Sequence, residues 1–143
     1  MASQPFEETI SFLLVQVCRA HRNKANILLS AVDLHAGQEF VMRHVGQNDG
    51  LTQSDLAEHL CVQPATVTKM LDRMVNAGLL ERRKDADDQR VSRVYLTDRG
   101  WAMQRSIEEI WQELEACSMA KFTTDEKVLF RRLLMQMRDN LTE

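Results

Sequence analysis

The sequence predicts a mostly helical fold that carries one small β-hairpin. Three observations lead there. Apolar residues recur at spacings of three and four along both ends of the 143-residue chain. Two helix starts fall close together in its middle, at Thr52 and Pro64. From Leu79 to Leu96 the pattern changes to period two on either side of a charged loop.

The first helix is expected over residues 6–29. Phe6, Ile10, Leu13, Leu14, Val17, Ala25, Leu28 and Leu29 form its apolar side, and Arg19, Arg22 and Lys24 its polar side. A break falls at Asp33 or Leu34. A second helix runs from about Ala36 to Val45, with Phe40, Val41 and Val45 apolar, and Gly46, Asn48, Asp49 and Gly50 form a turn. Thr52 then caps a third helix. Asp55, three residues on, completes a capping box with a shortened acid, and Leu51 and Leu56 occupy the staple positions. Leu56, Ala57 and Leu60 give that helix its apolar face.

A proline inside a helix breaks it but is favoured at the first helical position, so the fourth helix starts at Pro64 with Gln63 as its cap. Val67, Met70, Leu71, Met74 and Val75 form its buried stripe, and Gly78 ends it in a left-handed conformation. Helices joined this tightly must cross steeply, which is the helix-turn-helix arrangement. The free face of the fourth helix carries Thr66, Lys69, Arg73 and Asn76, flanked by Thr68. Small hydroxyls mixed with cations suit base edges and phosphates.

Strands are expected at Leu79–Arg83 and Val91–Leu96, around the charged loop Lys84–Arg90. Thr97 caps a long helix, 98–119, with Ile107, Ile110, Trp111 and Leu114 on one side. Thr123 and Glu126 make a capping box for a last helix, whose stripe is Phe130, Leu133, Leu134, Met137 and Leu141. The order is helix-turn-helix, strand, charged loop, strand, long helix. It describes a winged helix-turn-helix flanked by long N- and C-terminal helices. The chain reads as a single domain, 1–143, with the winged lobe at 34–100.

Bulk properties narrow the function. The net charge of -3 argues against indiscriminate coating of nucleic acid, but leaves room for a local basic patch. Residues 52–100 hold 8 basic and 8 acidic groups, against 4 and 5 in residues 1–51 and 6 and 8 in residues 101–143. The middle is therefore the least acidic part and the densest in cations. The chain shows no run apolar enough to span a bilayer, and "MASQPFEETI" lacks the layout of a signal peptide, so a cytoplasmic protein without membrane partners is expected. Cys18, Cys61 and Cys117 are widely spaced and read as buried or half-buried thiols. His21, His35, His44 and His59 stand apart, so neither metal nor cofactor is expected. There is no nucleophile–base–orienter set and no Gly-rich phosphate loop, which argues against an enzyme.

The stretch "LTQSDLAEHLCVQPATVTKMLDRMVNAGLLERRKDADDQRVSRVYLTDRG", residues 51–100, resembles the multiple antibiotic resistance regulator (MarR) family of bacterial transcription factors. The matches are "LT–LA–L" before the turn, "ATVTKMLDRM" in the recognition helix, "GLLER" into the wing, the D-x-R of Asp88 and Arg90, and the closing "LTDRG". "LHAGQEF", Leu34 to Phe40, is similar to the family's second helix.

The resemblance implies a homodimeric repressor on double-stranded DNA, with helices 6–29 and 101–141 interlocked between two copies. Gln63, Pro64, Ala65, Thr66, Thr68 and Lys69 would enter or flank the major groove, and Arg73 would reach a phosphate. Thr52 and Gln53 at the start of the third helix are candidates beside them. Arg90 matches the wing-tip arginine that reaches into the minor groove, where a narrow groove strengthens the negative potential. Asp88 matches the acid that shapes the wing turn, and Lys84 and Arg93 complete the wing candidates. A twofold dimer implies a pseudo-palindromic operator with half-sites about one helical turn apart. A small aromatic or amphipathic effector would bind between the dimer helices and the DNA-binding lobe, with Arg19, His21, Arg22 and Trp111 as candidate contacts. The redox-sensing branch carries a cysteine early in the first helix, where this chain has Ser11; Cys18 lies two turns further on. A winged-helix module for protein partners and a thiol-based redox regulator stay open as alternatives.

Overall fold

A computed structural model describes residues 5–142. Met1–Gln4, part of the stretch read for a leader, and Glu143 lie outside the described residues. Six α-helices and three strands follow in order among those residues: α1 Ile10–Ser30, α2 Gln38–Gln47, β1 Leu51–Thr52, α3 Gln53–Leu60, α4 Pro64–Asn76, β2 Leu80–Lys84, β3 Ser92–Leu96, α5 Asp98–Ser118 and α6 Thr124–Thr142. The expected winged helix-turn-helix with flanking helices is what forms.

Local chemistry explains the shifted boundaries. Phe6–Glu8 form a separate 3₁₀ turn, because the Thr9 hydroxyl accepts the Phe12 amide at 3.1 Å and starts α1 at Ile10. α2 begins two residues later than expected, after Gly37 at φ 106°. The capping box of α3 is complete: Asp55 N–H donates to Thr52 Oγ1 at 3.1 Å and Thr52 N–H to Asp55 Oδ2 at 3.2 Å. α3 ends with Cys61 at φ 53°, and only Cys61–Gln63 separate it from α4. Gln63 holds the cap position of α4 without a side-chain cap bond. The Thr123–Glu126 box of α6 forms as expected, with the Thr123 amide donating to Glu126 Oε2 at 2.8 Å.

The hairpin gains a third member. β3 lies between β2 and the two-residue β1, antiparallel to both, with Leu51 opposite Val94 and Arg82 opposite Val94 from the other side. A two-residue strand is too short for any period-two signal, so β1 is invisible in the pattern. Two glycines make the packing possible. A Cβ on Gly50 would stand 2.8 Å from the Tyr95 hydroxyl, and one on Gly100 would stand 2.2 Å from the Leu79 carbonyl oxygen.

The core sits in the winged lobe and under α5. Val41, Met42, Leu56, Val67, Leu71 and Val94 are fully buried there, joined by Leu29, Leu34 and Ile107. Phe40, expected on the apolar side of α2, is instead 41% exposed. The stripe of α6 forms no core within the chain: Leu133 is 46% and Leu141 74% exposed. The three cysteines are likewise exposed rather than buried, since each falls on a helix face or turn that this chain leaves uncovered. His44 and His59 are not apart either; α2 and α3 bring their rings to 5.3 Å. No helix among the described residues is long and apolar enough to cross a membrane.

Candidate nucleic-acid interface

The amphipathic order of α4 decides which side chains face outward. Val67, Leu71 and Met74 are buried, which fixes the roll of the helix and leaves Pro64, Ala65, Thr66, Thr68, Lys69, Arg73 and Asn76 exposed, with Gln63 exposed at the cap. The first turn is braced from α3. Gln53 Nε2 donates to Thr68 Oγ1 at 3.2 Å, and the Thr68 hydroxyl donates to the Pro64 carbonyl at 3.0 Å. Thr52 spends its oxygen on capping α3. Two of the expected binding residues therefore also hold the helix pair together.

The wing is ordered by carboxylates. Asp85 Oδ1 accepts the amides of Asp87 at 2.8 Å and Asp88 at 3.2 Å, while its Oδ2 takes Arg93 Nε at 2.5 Å. The Arg93 guanidinium and those two amides hold the Asp85 carboxyl below the usual aspartate range, and the same pairing raises the Arg93 value. Asp88 serves the tip: its Oδ1 accepts the Arg90 amide at 3.0 Å and Arg90 Nε at 3.2 Å. The turn is thus shaped by two acids. Asp85 was missed in the sequence, although an aspartate two residues before another turn residue is the pattern by which Asx turns form.

The wing cations fall into two groups. Lys84 is exposed and has no ion-pair partner among the described residues, as is true of Lys69 and Arg73 on α4. The Arg90 side chain is 91% exposed and projects from the tip. By contrast, Arg93 turns inward, with Nη1 donating to the Gly50 carbonyl at 2.9 Å. Arg83 pairs with Glu81 and lies over the Tyr95 ring, 4.3 Å from its centre. Unpaired exposed cations are the ones free to meet phosphate without first breaking an internal bond.

Two open clefts, of about 380 and 350 Å³, meet where α2 packs on α5. Glu39, Phe40 and Trp111 line both; His21 and Arg22 line the second, whereas Arg19 lines neither. Trp111 stands between the rings of Phe40, at 5.7 Å, and His21, at 6.0 Å. Glu39 is buried, and its Oε2 accepts the Gly37 amide at 2.7 Å. Burial raises its pKa, against the pull of backbone hydrogen bonds and the Arg22 charge. Periodicity could not find Glu39, since a charged residue at that place reads as solvated. No group of three or more His, Cys, Asp or Glu able to hold a metal ion occurs among the described residues.

Known proteins share this arrangement. The MarR family model matches residues 34–92. The HTH-type transcriptional regulator FarR of Neisseria gonorrhoeae is 28% identical over 143 residues, covering 100% of this chain and 93% of that protein. The transcriptional regulator HosA of Escherichia coli is 32% identical over 105 residues, covering 73% of this chain and 78% of that protein. A MarR mutant from E. coli, solved in complex with operator DNA, superposes with a TM-score of 0.82 at 29% identity, covering 94% of this chain and 99% of that one. The 32% identity to HosA over most of both chains, together with the family model over residues 34–92, establishes that the protein belongs to the MarR family and is a DNA-binding transcription regulator.

Proposed function

We propose that the chain works as a homodimeric repressor of a pseudo-palindromic operator. α4 lies in the major groove, with Gln63, Ala65, Thr66, Thr68 and Lys69 toward base edges and Arg73 toward phosphate, while Lys84 and Arg90 of the wing follow the backbone into the minor groove. The observation that carries this reading is the unpaired, outward state of Lys69, Arg73 and Lys84 beside the projecting Arg90. The MarR–operator complex, at 29% identity, supports the same docking here.

Dimerisation is carried by the terminal helices. Ile10, Leu13, Val17, Leu129, Leu133 and Leu141 are each at least 46% exposed, a density of apolar surface that a lone soluble chain does not sustain. A second copy covers it. The cleft walled by His21, Arg22, Phe40 and Trp111 holds a small aromatic or amphipathic effector, since its volume of about 350 Å³ and its mixture of rings and charges fit such a molecule. It borders α1, α4 and α5, so an occupant couples the dimer helices to the recognition helix.

Selection of DNA by the purified full chain from a random pool tests the reading. The expected product is a pseudo-palindrome with half-sites about one helical turn apart. Arg90→Ala should weaken binding to it by about 1–3 kcal/mol, and phenolic acids should release it. No enrichment of any palindrome would overturn the proposal.

A further inference from the structure

Two arginines at the wing root reach back into the lobe instead of outward. Arg82 of β2 sets its Nη2 2.7 Å from the Asp72 carboxylate of α4. Its Nε is buried and has no hydrogen-bond partner among the described residues, so the guanidinium depends on Asp72 for compensation. Arg93 of β3 joins Asp85 at the start of the wing loop to the Gly50 carbonyl, in the turn that leads into α3. In the ladder Arg82 stands opposite Val94 and Arg83 opposite Arg93, so the two anchors lie one residue apart in register. One strand of the hairpin is thereby tied to α4, and the other to the α2–α3 turn.

We infer that Arg82 and Arg93 are positioning residues, straps that set the angle of the wing to α4 without contacting DNA themselves. This rests on the reading in which α4 and the wing grip DNA together. The geometry gives the straps leverage. Asp85 opens the loop three residues past Arg82, so the loop and its tip stand at least about 10 Å beyond the strap at about 3.3 Å per residue. A swing of about 10° at the root then moves Arg90 by about 2 Å, more than hydrogen-bond geometry tolerates. Neither arginine is free to meet phosphate unless its internal bonds break. Asp72 lies one residue from Arg73, so the Arg82 strap acts on the exposed face of the recognition helix.

The experiment compares Arg82→Gln, Asp72→Asn, Arg93→Gln and the charge-exchanged pair Asp72→Arg with Arg82→Asp, all in the full chain. Binding to the selected operator is followed across a salt series, with Arg90→Ala alongside and urea midpoints to confirm folding. Each single strap variant should weaken binding about tenfold, the scale of one lost interaction. The slope of log affinity against log salt should stay unchanged. The exchanged pair should recover at least half of the loss in logarithmic terms. A direct phosphate contact would instead lower the slope by about one unit without rescue, and that result overturns the inference. Tighter binding by Asp72→Asn, or unchanged affinity in the strap variants while Arg90→Ala still weakens binding, overturns it as well. If Arg90→Ala has no effect either, the fault lies with the wing reading and not with the straps alone.

Discussion

The winged lobe and the terminal helices use apolar residues at the same spacing and reach opposite outcomes. In the lobe, Leu56, Val67, Leu71 and Val94 are all at 0% exposure. In α6, Val128, Leu129 and Leu133 remain 66, 49 and 46% exposed, and no residue of the helix is buried. The lobe has elements on several sides of each stripe: α2, α3, α4 and β3 enclose one another. α6 meets no such enclosure within its chain. An amphipathic stripe specifies that a face will be covered and leaves open whether its own chain covers it.

This contrast can be broken at either end. The largest effect is expected from Leu133→Glu, which places a charge in the α6 stripe. It should leave the lobe folded, dissociate the dimer in sedimentation, and lower operator affinity by about 100-fold or more through loss of the second half-site. If the variant stays dimeric, α6 is not part of the interface. Leu71→Ala attacks the lobe instead. It removes a fully buried side chain and should cost about 3 kcal/mol in urea unfolding, whereas Leu129→Ala should cost far less in the separated monomer. Similar losses at both positions would erase the distinction between the two regions.

The smallest effect concerns Asp85, at the edge of the lobe. Its folded carboxyl lies below its unfolded value because of the Arg93 guanidinium and the Asp87 and Asp88 amides. The stabilisation is therefore complete above the unfolded value, about 3.9, and is lost as pH falls through the lowered folded value. The difference in urea midpoint between wild type and Asp85→Asn should be constant from neutral pH down to about pH 5 and shrink below about pH 4. A difference that grows on acidification would contradict the assigned pairing.

Much of the lobe was legible because its signals are local. Thr52 with Asp55, Thr97, and Thr123 with Glu126 each mark a helix end through a bond made within a few residues, and Pro64 and Gly78 do so through their own backbone preferences. The outward face of α4 followed from the burial stripe on its other side. The wing cations were harder to read. Lys84, Arg90 and Arg93 look alike in sequence, yet Lys84 is unpaired, Arg90 is held loosely at the tip and Arg93 is folded inward, because partners at Gly50 and Asp85 are supplied by different elements. The same holds for Arg82, whose partner Asp72 lies on another helix, and for Glu39, whose burial depends on α2 packing against α5.

The sequence by itself determined where helices start and stop, where the period changes from helical to extended, and which face of each element is apolar. Those properties are set by a residue and its neighbours within about one turn of helix or two strand positions. Tertiary structure alone decided which charges stay free and which become braces, that β1 joins the sheet, that Glu39 is buried, and that the terminal stripes and all three cysteines stay uncovered in a single chain. These depend on what distant segments bring to the same place, and spacing along the chain carries no record of that.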